Sequence, residues 1–206
     1  VAGNNGALGI APSTGTQATI NTTGGLSASI SAPIINGTNG SAAAATGLLT
    51  TGGGTLTLSG INTYTGGTTV KQGTLIAASN AALGTGGVTV DNAEDHNATL
   101  QVRSGMMLGN AITLANGGTL DNAGALTGLG TQVSGSGTVR NHDGASISAG
   151  AMQNQASIAL TSGSVTNSGG AVITGLTSTA VSMSNGGTVL NEGSNSAGST
   201  PTCAAL

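Results

Sequence analysis

One phrase, returning at intervals of 19 to 26 residues, limits what this chain can fold into. A small residue, a hydroxyl residue and an aliphatic residue recur as Gly54-Thr55-Leu56, Gly73-Thr74-Leu75, Ala98-Thr99-Leu100, Gly118-Thr119-Leu120, Gly137-Thr138-Val139, Gly163-Ser164-Val165 and Gly187-Thr188-Val189. The aliphatic members, Leu56, Leu75, Leu100, Leu120, Val139, Val165 and Val189, lie 19, 25, 20, 19, 26 and 24 residues apart. Imperfect repetition in this range marks a solenoid, whose units bury their apolar faces only by stacking on one another. Alternation in Thr55-Leu56-Thr57-Leu58 turns both leucines to one face, as a strand does. Midway between the phrases stand second apolar steps: Val88/Val90, Ile112/Leu114, Ile158/Leu160 and Val181/Met183. Two or three short strands per coil and no helical periodicity predict an all-β chain. It is read as a right-handed parallel β-helix, or β-solenoid, because parallel crossovers within a sheet are almost always right-handed.

Composition points the same way. Only 4% of the 206 residues are charged, against about 25% in an ordinary soluble domain. There are 38 Gly, no Trp or Phe, and one Tyr, so no aromatic core can be built. A net charge of −3 and a mean hydropathy of +0.21 do not fit disorder driven by charge and low hydrophobicity. A narrow coil filled by Val, Ile, Leu, Ala and Thr does fit. Lys71, Arg103 and Arg140 are the only cations. No basic patch exists to neutralise phosphates, so nucleic acid is excluded as a partner. No apolar run approaches the roughly 20 residues of a membrane span. The start, VAGNNGALGI, lacks the basic and apolar regions of a signal peptide, so a secreted protein would be present here as a processed form or an internal fragment. The single Cys203 can form no internal disulfide. The final Cys203-Ala204-Ala205-Leu206 has the form of a prenylation signal without a polybasic segment before it, and is read as a boundary.

Three regions follow. Residues 1–50 are irregular early coils or a cap, with short strands expected at Gln17–Ile20, Leu26–Ile30 and Ile34-Ile35, and Pro12 and Pro33 at edges or corners. Ser41 to Ala45 is either a helical turn or a loop leaving the coil. Residues 51–193 are the regular β-helix, and 194–206 a cap or linker.

Residues 52–90 carry the most specific pattern: Gly54 to Gly60 as Gly-x-Leu-x-Leu-x-Gly, Asn62-Thr63-Tyr64-Thr65-Gly66-Gly67-Thr68, Gly73-Thr74-Leu75, then Ala82-Leu83-Gly84. This stretch of about 40 residues resembles the autotransporter-associated β-strand repeat of bacterial passenger domains. The resemblance implies a right-handed β-helical passenger, exported across a Gram-negative outer membrane and found extracellularly or on the cell surface. The translocating barrel is expected elsewhere in the parent protein, with no membrane insertion by this chain.

The candidate functional residues are few. Asp91, Glu94, Asp95 and His96 interrupt the apolar rhythm, and are read as an exposed, solvated loop rather than a metal site, because the loop lacks the glycine of a calcium-binding turn. Neither a metal nor any other cofactor is expected. Met106-Met107 is read as core filling. From Leu120 onward each phrase ends in asparagine: Asn122, Asn141, Asn167 and Asn191. If the aliphatic residue points inward, so does the asparagine two residues on. Amides stacked about 4.8 Å apart can then bond along the ladder. Between them, Asp121 and Arg140 occupy outward positions on successive coils and are expected to pair, worth at most about 1 kcal/mol. Asp121, Arg140, His142 and Asp143 form the one grouping comparable to the carboxylate grooves of β-helical polysaccharide enzymes, with Glu192 two coils away and no sugar-stacking aromatic nearby. A threonine ladder for ice binding is weighed and set aside, since the coil lengths are irregular.

Three functions remain open. The first is a non-enzymatic adhesin or self-associating surface module that binds a host or bacterial surface receptor or itself. The second is a subunit of an extracellular filament stacked end to end, and the third a polysaccharide-acting enzyme. What separates the first two is whether the ends of the rod are capped or match each other.

Overall fold

The computed structural model describes residues 6–10, 16–39, 42–43, 46–93, 97–128, 132–142, 145–149, 157–167, 172–174, 181–183 and 188–191. These residues form a β-solenoid of parallel sheets, with no helix among them. Each coil passes three faces in turn. Face one begins with Leu8–Ile10 and Ile34–Asn36 and continues much later with Met107–Leu108, Ala125–Gly128, Ser146–Ala149 and Val172–Thr174. Face two stacks Gln17–Asn21, Gly47–Thr51, Thr68–Val70, Val88–Asp91, then 112–115, 132–135, 157–160 and Val181–Met183. Face three stacks Ser27–Ile30, Thr55–Leu58, Thr74–Ala77, Thr99–Val102, then 118–122, 137–141, 163–167 and Thr188–Asn191.

Period-two alternation makes these strands and sets their register. Along Thr55–Leu58 and Thr74–Ala77 every second residue is buried. Leu56, Leu75, Leu100, Leu120, Val139, Val165 and Val189 are register partners in one column up face three. The first five are wholly buried. Thr68, Val88, Ile112 and Val133 form a matching inward column on face two. A one-residue slip would turn each of these columns to water, so the aliphatic pattern fixes the pairing of every coil.

Uneven coil lengths do not disturb the stack, because extra residues leave it at corners. Between Leu75 and Leu100 the added chain lies at the corner between faces two and three, after Asp91, and Leu75 still pairs with Leu100. A second excursion separates Ile34–Asn36 from Gly47–Thr51. There Thr38–Asn39 pairs antiparallel with Ala42–Ala43, so the described residues are a hairpin, and the helical-turn alternative fails. The early strands at Gln17–Asn21, Ser27–Ile30 and Ile34–Asn36 lie within a residue of the positions expected from the sequence, and the Pro33 carbonyl accepts the Leu8 N–H.

Corners use glycine where no side chain fits. Gly73 has φ +67°, and a Cβ there would lie 2.2 Å from the Gly54 carbonyl oxygen of the coil below. The chain turns there from the face-two strand Thr68–Val70 into the face-three strand Thr74–Ala77, and two backbones touch.

Candidate functional surface

Face one is not a strand ladder throughout. Between Ile34–Asn36 and Met107–Leu108 it is formed by residues 61–65 and 81–85, which are not strands. Backbone bonds still cross between these coils, from the Thr63 N–H to the Ile34 carbonyl, the Asn62 N–H to the Ala81 carbonyl and the Thr85 N–H to the Tyr64 carbonyl, and side chains add to them. Asn62 is buried, accepts the Ile34 N–H on Oδ1 at 2.8 Å and donates from Nδ2 to the Ala82 carbonyl, tying the coil below to the coil above. Tyr64 is fully buried. Its hydroxyl meets Thr68 Oγ1 at 2.6 Å, and Thr68 in turn donates to the Leu83 carbonyl at 3.2 Å. Since the one Thr68 proton goes to Leu83, Tyr64 is the donor in its bond. Burial pushes the Tyr64 phenol up to about 12. Gly84 lies against the ring, with φ +65° and space for no Cβ: the nearest ring carbon would be 2.8 Å away. Turn-type residues here act as core, so Tyr64 is closed to any sugar.

The outer surface is polar and repetitive. On face three the register aligns Ser27, Thr55, Thr74, Thr99, Thr119, Thr138, Ser164 and Thr188 in one unbroken column of hydroxyl residues. The register column two residues on runs Ser29, Thr57, Ile76, Gln101, Asp121, Arg140, Thr166, Leu190. Uneven coil lengths therefore do not break this array, contrary to the ground on which a regular threonine face was set aside. Its second column, with Ile76, Asp121 and Arg140, is still not a uniform hydroxyl face.

Asp121 and Arg140 are register partners, as their positions required. Among the described residues, however, Asp121 is hydrogen-bonded to His142 Nε2 and makes no ion pair with Arg140. Gln101 Nε2 adds a hydrogen bond to the other carboxylate oxygen at 3.2 Å. The cause is directional. His142 follows the strand at the corner, held by its N–H to the Asn122 carbonyl at 2.8 Å, and its ring folds back over Asp121. Arg140 stays exposed.

The remaining sequence candidates divide. Asn122 is fully buried, and its Oδ1 accepts the Gly124 N–H at 3.2 Å. The backbone register sets Asn122, Asn141, Asn167 and Asn191 side by side. Asp91 lies at the corner after face two, where its carboxylate accepts the Asn116 amide at 2.7 Å and the Ala93 N–H at 3.2 Å. Glu94, Asp95 and His96 lie outside the described residues, as do Asp143, Glu192, Pro12 and Cys203. The methionine pair splits: Met106 packs against the core, but Met107 is 52% exposed. A strand alternates its faces, so two adjacent residues cannot both fill one core.

Residues 48–77 match the family model described as passenger-associated-transport-repeat. The match begins at the face-two strand of one coil and ends with the face-three strand of the next, so it includes Asn62, Tyr64 and Thr68. No curated protein and no solved structure matches the chain. The repeat and the β-solenoid together fit an autotransporter passenger domain.

Proposed function

We propose that this solenoid, carrying a passenger repeat, works as a rod outside a Gram-negative cell, as an adhesin or self-associating module that makes contact rather than performs chemistry. The observation that carries this reading is the hydroxyl column on face three, in register from Ser27 to Thr188. Its members repeat at about the 4.8 Å strand spacing. Each hydrogen bond to a partner is worth only about 1 kcal/mol against water. A partner that is itself repetitive, a receptor array or a second rod, adds such contacts through avidity.

A specific observation favours the filament as the second reading. Leu8–Ile10, Gln17–Asn21 and Ser27–Ile30 are each paired on one side among the described residues. Leu8, Ala18, Ile20 and Ile30 are only partly buried. Such strand edges over an apolar interior can take a further coil, of this chain or of another copy, and head-to-tail stacking of copies that does not close gives fibres. The enzyme reading is the weakest. Cleavage of a glycosidic bond ordinarily takes two carboxylates, and Asp121 is the one acid aligned on face three among the described residues.

Electron microscopy and light scattering of the purified chain over a concentration series, with adhesion of chain-coated beads to epithelial and bacterial cells, test these readings. Monodisperse rods that hold beads to cells or to one another support the adhesin. Fibres one solenoid wide, lengthening with concentration, make the filament primary. Rods that bind neither cells nor each other overturn both.

A further inference from the structure

Five Asn-Gly dipeptides occur, at Asn5, Asn36, Asn39, Asn116 and Asn185. Such a pair is open to ring closure because glycine leaves the following backbone nitrogen unhindered, and folded structure decides which pairs react. Asn36 and Asn116 are the two whose side chains and following glycines are both described, and their settings are opposite.

Asn36 is pinned. Its Oδ1 accepts the Thr65 N–H at 3.1 Å and the Thr46 N–H at 3.3 Å, and its Nδ2 donates to Thr65 Oγ1 at 3.0 Å. The Gly37 N–H, the nitrogen that would have to attack, donates to the Ile10 carbonyl at 2.7 Å. Asn116 is exposed at the corner between faces two and three, with φ 52° followed by Gly117 at φ 84°. The pair falls within the register shift between Leu114 and Gly118 and has no register partner on either side. Among the described residues, one side-chain bond restrains it, from Nδ2 to Asp91 Oδ1 at 2.7 Å.

The geometry points to Asn116-Gly117 as a site of spontaneous deamidation that sets a second carboxylate against Asp91. The Gly117 backbone nitrogen gives up its proton and bonds to Asn116 Cγ; the Cγ–Nδ2 bond breaks and the nitrogen leaves as ammonia. Water then opens the succinimide at either carbonyl, giving aspartate or isoaspartate. Asn116 reaches the ring geometry without unpairing a coil, because it lies outside the ladder. The product reverses the corner's chemistry: an amide donor to Asp91 becomes a like charge at hydrogen-bonding distance. Asp91 also holds the Ala93 N–H, and Asn92 Oδ1 holds the Ala98 N–H. The repulsion therefore acts on the described residues of this corner, 91–93 and 97–98.

Peptide mapping by mass spectrometry of the whole chain, incubated for days in mildly alkaline buffer, reads the reaction at each Asn-Gly pair. Asn116 is expected to convert about tenfold faster than Asn36 or more, the factor imposed where several hydrogen bonds must first break. Conversion of Asn36 at an equal or greater rate overturns the assignment. The charge effect is read separately by hydrogen exchange of Asn116→Asp and Asn116→Gln chains. Faster exchange at residues 92–99 in Asn116→Asp, contracting in high salt, supports the clash with Asp91. Equal exchange in the two variants overturns it.

Discussion

Replacing Asn62 by alanine leaves two buried backbone groups without partners at once, the Ile34 N–H and the Ala82 carbonyl. Each orphaned group costs about 1–3 kcal/mol, so Asn62→Ala is expected to lower stability by about 2–4 kcal/mol in a urea melt followed by circular dichroism. A loss of a few tenths would mean that water takes over both bonds. Tyr64 gives a second test, on pH. Its phenol is raised from an ordinary 10.0 to about 12 in the folded chain, chiefly by burial. A raised acid binds its proton more tightly when folded. Its contribution is therefore complete below pH 10.0 and is lost as the pH climbs through about 12. Since this is the chain's single tyrosine, phenolate absorbance is expected to appear only toward that upper value, together with unfolding. Tyr64→Phe should flatten the stability profile across the same window. Phenolate that forms near pH 10.0 with the β-sheet spectrum intact would show the ring in contact with water.

At the scale of the element, what a strand needs inside is set by its neighbours in the column. On face three one register column reads Ile30, Leu58, Ala77, Val102, Asn122, Asn141, Asn167, Asn191, and its buried members change from aliphatic to amide between Val102 and Asn122. Asn122→Val gains apolar burial but leaves the Gly124 N–H without its acceptor, for an expected net loss of about 1 kcal/mol. Leu58→Asn places an amide between Ile30 and Ala77, and is expected to cost about 3 kcal/mol or more. Equal losses in the two variants would mean that the column does not distinguish its two halves. Corners obey a different rule. Gly25 and Gly73 both have positive φ, but a Cβ at Gly25 meets nothing within 4 Å, while at Gly73 it meets the Gly54 carbonyl. Gly25→Ala should cost about 1 kcal/mol for the left-handed backbone alone, and Gly73→Ala about 2 kcal/mol more from strain between the two coils.

Most of this was legible in the sequence for one reason. A strand buries every second residue, so Leu56, Leu75, Leu100 and Leu120 announce both their face and their register. What was not legible lies where that reason fails. Asn62 and Tyr64 read as a turn because asparagine, threonine and glycine dominate turns. Their alternation of buried and exposed residues, Asn62 in, Thr63 out, Tyr64 in, Thr65 out, is that of a strand without strand pairing. The sequence groups Asp121 with both Arg140 and His142, yet assigns the pairing to Arg140 because strand register places it beside Asp121; only the path of the corner brings the histidine onto the carboxylate.

On the scale of the whole molecule, a stack in which each coil touches only its neighbours has stability close to a sum of local terms and nearest-neighbour couplings. Damage should therefore spread one coil and little farther. Asn62 lies in the coil between those holding Ile34 and Ala82, whereas Leu126 and Val139 lie farther up the same rod. Hydrogen exchange of Asn62→Ala is the measurement that resolves this. Amides of Ile34–Asn36, Thr68–Val70 and Thr74–Ala77 are expected to exchange at least about tenfold faster, the factor set by each 1.4 kcal/mol of lost local stability. Amides of Ala125–Gly128 should keep their protection. A uniform rise in exchange from Leu8 to Asn141 would show instead that the rod opens as one cooperative unit. The passenger repeat at 48–77 would then act as a clamp on the whole stack, and not only as a joint between adjacent coils.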